Sequence, residues 1–135
     1  MKRKGLSPTA RTLAECRRRG WIAQVVEQTI PRTFIKRDLF GVIDIVAVTT
    51  ESCILGIQAT SGTNHAARIS KALAEPRIIP WLRAGGFVEI WSWAKQGARG
   101  KSKRWTLRVQ PIGIDDCKAH CPAAYEDSDP KDEAA

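Results

Sequence analysis

Asp44 and Gln58 are the two residues in this chain whose types and surroundings call for a chemical explanation. In Gly41-Val42-Ile43-Asp44-Ile45-Val46-Ala47-Val48 the carboxylate sits in an otherwise apolar run. Alternation puts Val42, Val46 and Val48 on its face and Ile43, Ile45 and Ala47 on the other, so the strand should be covered on both sides. A lone buried carboxylate is costly and takes up a proton unless a cation or hydrogen-bond donors meet it. The next run, Cys53-Ile54-Leu55-Gly56-Ile57-Gln58-Ala59-Thr60, again holds a polar residue inside an apolar strand. If Thr50-Glu51-Ser52 form a three-residue hairpin loop, Val48 faces Ile54, Val46 faces Gly56 and Asp44 faces Gln58. A slip of one residue would put the two polar groups on opposite faces. Gly56 then leaves space beside them. The pair could be a purely structural hydrogen bond. Its oxygens could equally hold a hard divalent cation such as Mg²⁺ (or Mn²⁺), which takes one or two carboxylates together with waters and phosphate oxygens. In a basic protein that chemistry points to phosphodiester hydrolysis.

The elements that must position this pair follow from local signals. Ser7-Pro8 opens a helix that runs to about Arg19 and stops at Gly20, with Ala10, Leu13 and Ala14 as its apolar stripe and Leu6 as a staple. Trp21 to Gln28 is strand-like, and Glu27 falls at its end. Pro31 to Asp38 reads as a loop or edge carrying Lys36 and Arg37. Ser61-Gly62-Thr63 turns into a helix over about 64–74, a short helical segment follows near 78–84, and Gly85-Gly86 breaks it. Phe87 to Trp93 and Trp105 to Val109 form a hairpin around a basic loop. The order is α/β: a sandwich around a central mixed sheet of about five strands flanked by helices. Residues 1–6 form a basic arm, 7–112 the domain, and 113–135 an acidic tail expected to be disordered.

Charge narrows the partners. Lys and Arg number 22 against 14 Asp and Glu, a net of +8. The last 21 residues carry a net of −5, which leaves +13 on the first 114. A body this basic expects a polyanion, most simply nucleic acid. Lys95, Arg99, Lys101, Lys103 and Arg104 crowd one hairpin loop, and Lys36 and Arg37 stand just before the Asp44 strand. These are phosphate contacts with little sequence specificity. No stretch is long and apolar enough for a membrane span, and no secretion signal is read at the N-terminus, so a cytoplasmic location is expected, with free thiols. Trp91, Trp93, Trp105 and Leu107 share a sheet face, where core or dimer packing is expected over stacking on bases. Cys117, His120 and Cys121 fall short of a zinc set.

The strand-borne Asp44, the hairpin, Gln58-Ala59-Thr60 and the helix after it together resemble the PD-(D/E)xK nuclease superfamily, with its restriction-endonuclease-like fold. The resemblance covers about residues 4–110 and is closest to archaeal Holliday junction resolvases, including small phage and prophage proteins. Lys4-Gly5-x-Ser7 and a helix ending in Gly20-Trp21 also resemble the start of those resolvases. The resemblance implies that Asp44 and Gln58 hold Mg²⁺ with the backbone carbonyl of Ala59, and that Thr60 stands where the family has a catalytic Lys. It implies a DNA endonuclease of a bacterial or phage-infected cell, dimeric by analogy. Gln58 replaces the family Glu, and no acid stands near Thr9 or Ala10 where the resolvases have one. Thr60 supplies no cation, so one from the next helix is needed. There Asn64, Arg68, Lys71 and Glu75 share a face, and Arg68 or Lys71 could serve. Two alternatives remain: a DNA-binding protein of the same fold that no longer cuts, and a small regulatory protein whose basic face binds an acidic partner protein.

Overall fold

The computed structural model describes residues 5–120. The basic arm up to Lys4 and the tail from Cys121 lie outside the described residues, as does the side chain of His120.

Helix α1 (Pro8–Arg18) begins as its sequence dictates: Ser7 Oγ accepts the Ala10 N–H at 3.1 Å, with Pro8 in the first turn. It ends at Gly20, whose φ of +79° suits a residue without Cβ. Its buried residues are Thr12 and Cys16, whereas Ala14 is exposed and Leu6 is 58 % exposed, so the expected stripe is displaced and the staple does not form. Trp93 explains the displacement: its indole N–H donates to Thr12 Oγ1 at 2.9 Å and draws that side of the helix onto the sheet.

The strands are β1 (Ile22–Val25), β2 (Gln28–Thr29), β3 (Lys36–Arg37), β4 (Ile45–Val48), β5 (Ile54–Ser61), β6 (Phe87–Gln96) and β7 (Arg104–Ile112). Five of them form a mixed sheet in the order β1-β4-β5-β6-β7. Only β5 and β6 are parallel, and α2 (His65–Ala74) and α3 (Ile78–Arg83) form the crossover between them. The remaining pair, β2 and β3, forms a separate two-stranded ribbon from the stretch expected to be loop or edge. Helix α4 (Ile114–His120) replaces the start of the expected disordered tail, with Cys117 2 % exposed. Asp116 Oδ2 accepts the Gly113 N–H at 2.8 Å and steadies its first turn.

Helix α1 covers one face of the sheet over Ile45, Ala47, Leu55, Ile57 and Trp91. The other face packs Val42, Ile43, Val88, Ile90 and Ile112 against Ala72, Ile78, Ile79 and Cys117 of the remaining helices. Each large buried side chain contributes about 1.5–3 kcal/mol by leaving water. No described helix is long and apolar enough to cross a membrane.

The β4–β5 hairpin has the expected register: Val48 opposite Ile54 and Val46 opposite Gly56. Its three-residue loop closes with Ser52 at φ 64°. The strand around Asp44 departs from expectation. Instead of running from Gly41 to Val48, regular pairing starts at Ile45, with an isolated bridge between Leu39 and Ile43. Asp44 N–H donates to the Ile57 carbonyl at 2.9 Å, yet Ile57 is also the register partner of Ile45. Two residues of one strand thus oppose one of the other, which is a β-bulge. The extra residue breaks the alternation. Ile43 therefore packs with the helices of the Asp44 side instead of opposite them, and it fills the space expected beside Gly56.

Candidate metal and nucleic-acid site

The bulge aims the Asp44 side chain at the end of β5. Asp44 and Gln58 are each 3 % exposed. Gln58 Nε2 donates to Asp44 Oδ2 at 2.9 Å, and the Ala59 N–H donates to the same oxygen at 2.9 Å. The two expected partners therefore meet. The Ala59 contact differs in kind from the one the resemblance implies: its N–H, not its carbonyl, faces Asp44. In an unbroken ladder that N–H would bond to the next residue of β4, and the bulge gives it to the carboxylate instead. Gln58 Oε1 is buried and has no hydrogen-bond partner among the described residues.

Two further acids complete the cluster. Glu27 precedes β2 and Asp38 follows β3, so the ribbon carries both of them to Asp44. One carboxylate oxygen from each of the three lies within 4.8 Å of the others. Burial above all, then a hydrogen bond that protonated Asp44 donates to the Asp38 carboxylate and the charge of Asp38, push the Asp44 carboxyl up to about 8, with Glu27 adding to the rise and the Ala59 N–H opposing it. Two lysines answer this charge. Lys36 Nζ stands 3.5 Å from Glu27 Oε1, and Lys71 Nζ 3.8 Å from Asp38 Oδ2.

Among the residues singled out from sequence, Lys71 thus reaches the cluster through Asp38. Arg68, half-buried on the same helix, forms no ion pair with it among the described residues. Thr60 is buried beside Ser92 of β6, one pleat beyond Gln58 on the same face. Lys36 and Arg37 lie on the exposed ribbon, whose tip presents a fully exposed Phe34 beside Arg32. The basic loop, residues 97–103, leaves the sheet at the same end as the acidic cluster. Strand β6 runs three residues past its last pairing with β5, so the loop overhangs by about 10 Å. Lys95, Arg99, Lys101, Lys103 and Arg104 are all exposed there, with Lys95 Nζ 5.5 Å from the Trp105 ring.

Trp91 is wholly buried and gives its indole N–H to Glu89 Oε1 at 3.0 Å, while Trp105 is 44 % exposed under Arg11. The tryptophans therefore act mainly in packing. Cys117 is buried in the core, where burial raises its thiol pKa.

No protein family, curated protein or solved structure matches this chain.

The donor set fits a hard divalent cation. All its charged members are carboxylate oxygens, the type Mg²⁺ and Mn²⁺ prefer. One oxygen of each carboxylate lies within 4.8 Å of the others, so holding one ion at about 2.1 Å needs the three groups to close in on it. A dication would also offset both the burial and the neighbouring negative charge that raise the Asp44 carboxyl.

Proposed function

We propose that the protein is a divalent-cation-dependent endonuclease that hydrolyses phosphodiester bonds of DNA, a divergent relative of the PD-(D/E)xK nucleases. The observation that carries this reading is the convergence of Glu27, Asp38 and Asp44 on one point beside Gln58. Three other features support it. A helix, three antiparallel strands, a helical crossover and a parallel strand follow in the order that superfamily would need. Lys71 stands beside the cluster, where the family pattern lacks its lysine at Thr60. The cationic loop and ribbon overhang the same end of the sheet.

Glu27, Asp38 and Asp44 would hold Mg²⁺ or Mn²⁺, with Gln58 beside them as the neutral partner of Asp44. The ion would supply polarisation of a phosphate oxygen and acidification of a water. Gln58 Nε2 and the Ala59 N–H fix one oxygen of Asp44 and leave the other for the ligand. The Lys71 ammonium offsets negative charge that builds on the phosphate as the bond breaks. The exposed lysines and arginines position the backbone without reading bases.

A second reading, a DNA-binding protein that does not cut, is favoured by one observation: Gln58 caps Asp44 with an amide N–H where the family pattern has a carboxylate. Supercoiled, linear and four-way-junction DNA incubated with Mg²⁺, Mn²⁺ or EDTA distinguishes the two. Nicking that needs the cation and disappears in Asp44→Asn supports hydrolysis. Salt-sensitive retention of DNA without nicking in any metal leaves the binding protein.

A further inference from the structure

The register places Thr60, Ser92 and Arg108 in one row across β5, β6 and β7. His65, the first residue of α2, closes over this row. Its Nδ1 is hydrogen-bonded to Ser92 Oγ. His65 is 4 % exposed, and its Nε2 is buried without a hydrogen-bond partner among the described residues. The ring borders a cavity of about 490 Å³. Thr63, Ser92, Gln96, Thr106 and Arg108 line the rest of its polar wall, and no acid lines it.

The donor inventory defines what fits. In the tautomer in which the Ser92 hydroxyl donates to Nδ1, the imidazole proton sits on Nε2, where it has no acceptor among the described residues. Burial, then the charge of Arg108, holds the imidazole neutral. The cavity therefore sets the Arg108 guanidinium beside the buried imidazole of His65 at the positive end of a ten-residue helix, while the Thr63 and Thr106 hydroxyls on its wall already bond Ser61 Oγ and the Arg104 carbonyl. Such a set matches a tetrahedral oxyanion.

We propose that this cavity is a phosphate-binding subsite formed by His65 and Arg108, which holds one phosphate of the nucleic acid a few nucleotides from the bond broken at Asp44. The proposal rests on the nuclease reading for its substrate. It follows from the sheet: Ser92 lies two strands across and two residues along from the register position of Asp44, about 12 Å away.

Inorganic phosphate titrated into the full chain, with the imidazole signals followed by NMR and assigned through His65→Gln, tests the site directly. A saturable shift of the His65 signals is expected, weakened at least fivefold in Arg108→Ala, whose side chain is exposed. Oligonucleotides in EDTA identify the phosphate. If a 5′-phosphate tightens binding about fivefold and Arg108→Ala removes that gain, the subsite takes a chain end. If phosphorylated and unphosphorylated ends bind alike, and Arg108→Ala weakens both and lowers the salt slope by about one, it takes an internal phosphate. Phosphate that leaves His65 unmoved, with Arg108→Ala binding oligonucleotides like the wild type, overturns the proposal. Phosphate that shifts His65 while no oligonucleotide binds overturns the nuclease reading and leaves the anion site standing.

Discussion

Replacing Asp44 with Asn interrogates the cluster through folding, without requiring activity. Asn keeps the shape, and its Oδ1 can still accept from Gln58 Nε2 and the Ala59 N–H. It removes only the charge. In the wild type the carboxyl rises from 3.8 to about 8. Between those limits the folded chain binds the proton more tightly than the unfolded chain. The contribution of Asp44 to stability is therefore fully present below about pH 4 and is lost as pH rises towards 8. At about 1.36 kcal/mol per pH unit, the deficit at pH 7 relative to pH 4 is on the order of 4 kcal/mol, and it belongs to the three carboxylates jointly. Asp44→Asn should lose most of that slope and overtake the wild type as pH rises, by roughly 10 °C in Tm near neutrality. Cations act in the opposite direction. At pH 8, Mn²⁺ at ten times its Kd should stabilise the wild type by about 1.4 kcal/mol and the variant not at all. Thermal unfolding at pH 5, 6, 7 and 8, in EDTA and in Mn²⁺, measures both effects. Parallel pH slopes for the two proteins, or equal stabilisation by Mn²⁺, would refute a charged cation-binding cluster at Asp44.

Other perturbations have equally definite outcomes. A Cβ at Gly56 would stand 2.5 Å from Ile43 Cδ1, so Gly56→Ala should cost about 1–3 kcal/mol in urea unfolding, and Ile43→Val in the same chain should recover part of it. Lys71→Ala removes an ammonium that is half-exposed and 3.8 Å from Asp38; Tm should move by no more than a degree or two, while the nicking rate falls at least tenfold, and an unchanged rate would remove Lys71 from the site. Lys101→Ala with Lys103→Ala should weaken binding to every DNA sequence alike and lower the salt slope by about two, with Tm unaltered.

The Asp44–Gln58 pairing was legible because it rests on two strong rules. A three-residue loop fixes hairpin register, and a polar residue in an apolar strand must find a partner. The bulge was not legible, since an inserted residue leaves no mark on composition, only on alternation, and Ile43 is apolar on either face. Asp38 was missed for a related reason. It sits at the foot of a ribbon with two pairs of residues, Gln28 with Arg37 and Thr29 with Lys36, too short for periodicity to register. Helix α4 does carry a signal, Asp115 and Asp116 in its first turn, but the acidic composition that continues beyond it masks that signal. Of the stripe on α1, Leu13 packs on the core and Ala14 is exposed; the buried Thr12 takes a hydrogen bond from Trp93, 81 positions away in the chain, which no local pattern encodes.

Glu27 and Asp38 flank one short ribbon, and this has a mechanical consequence. Lifting that flap dismantles the acid cluster in a single motion, while the five-stranded sheet stays intact behind it. On the proposed reading, holding a cation would depend on the order of about a dozen residues as well as on the global fold. A cation at the foot of the flap and a phosphate chain along its cationic outer edge would each bear part of the same ordering cost. Either one, arriving first, makes the other's arrival easier.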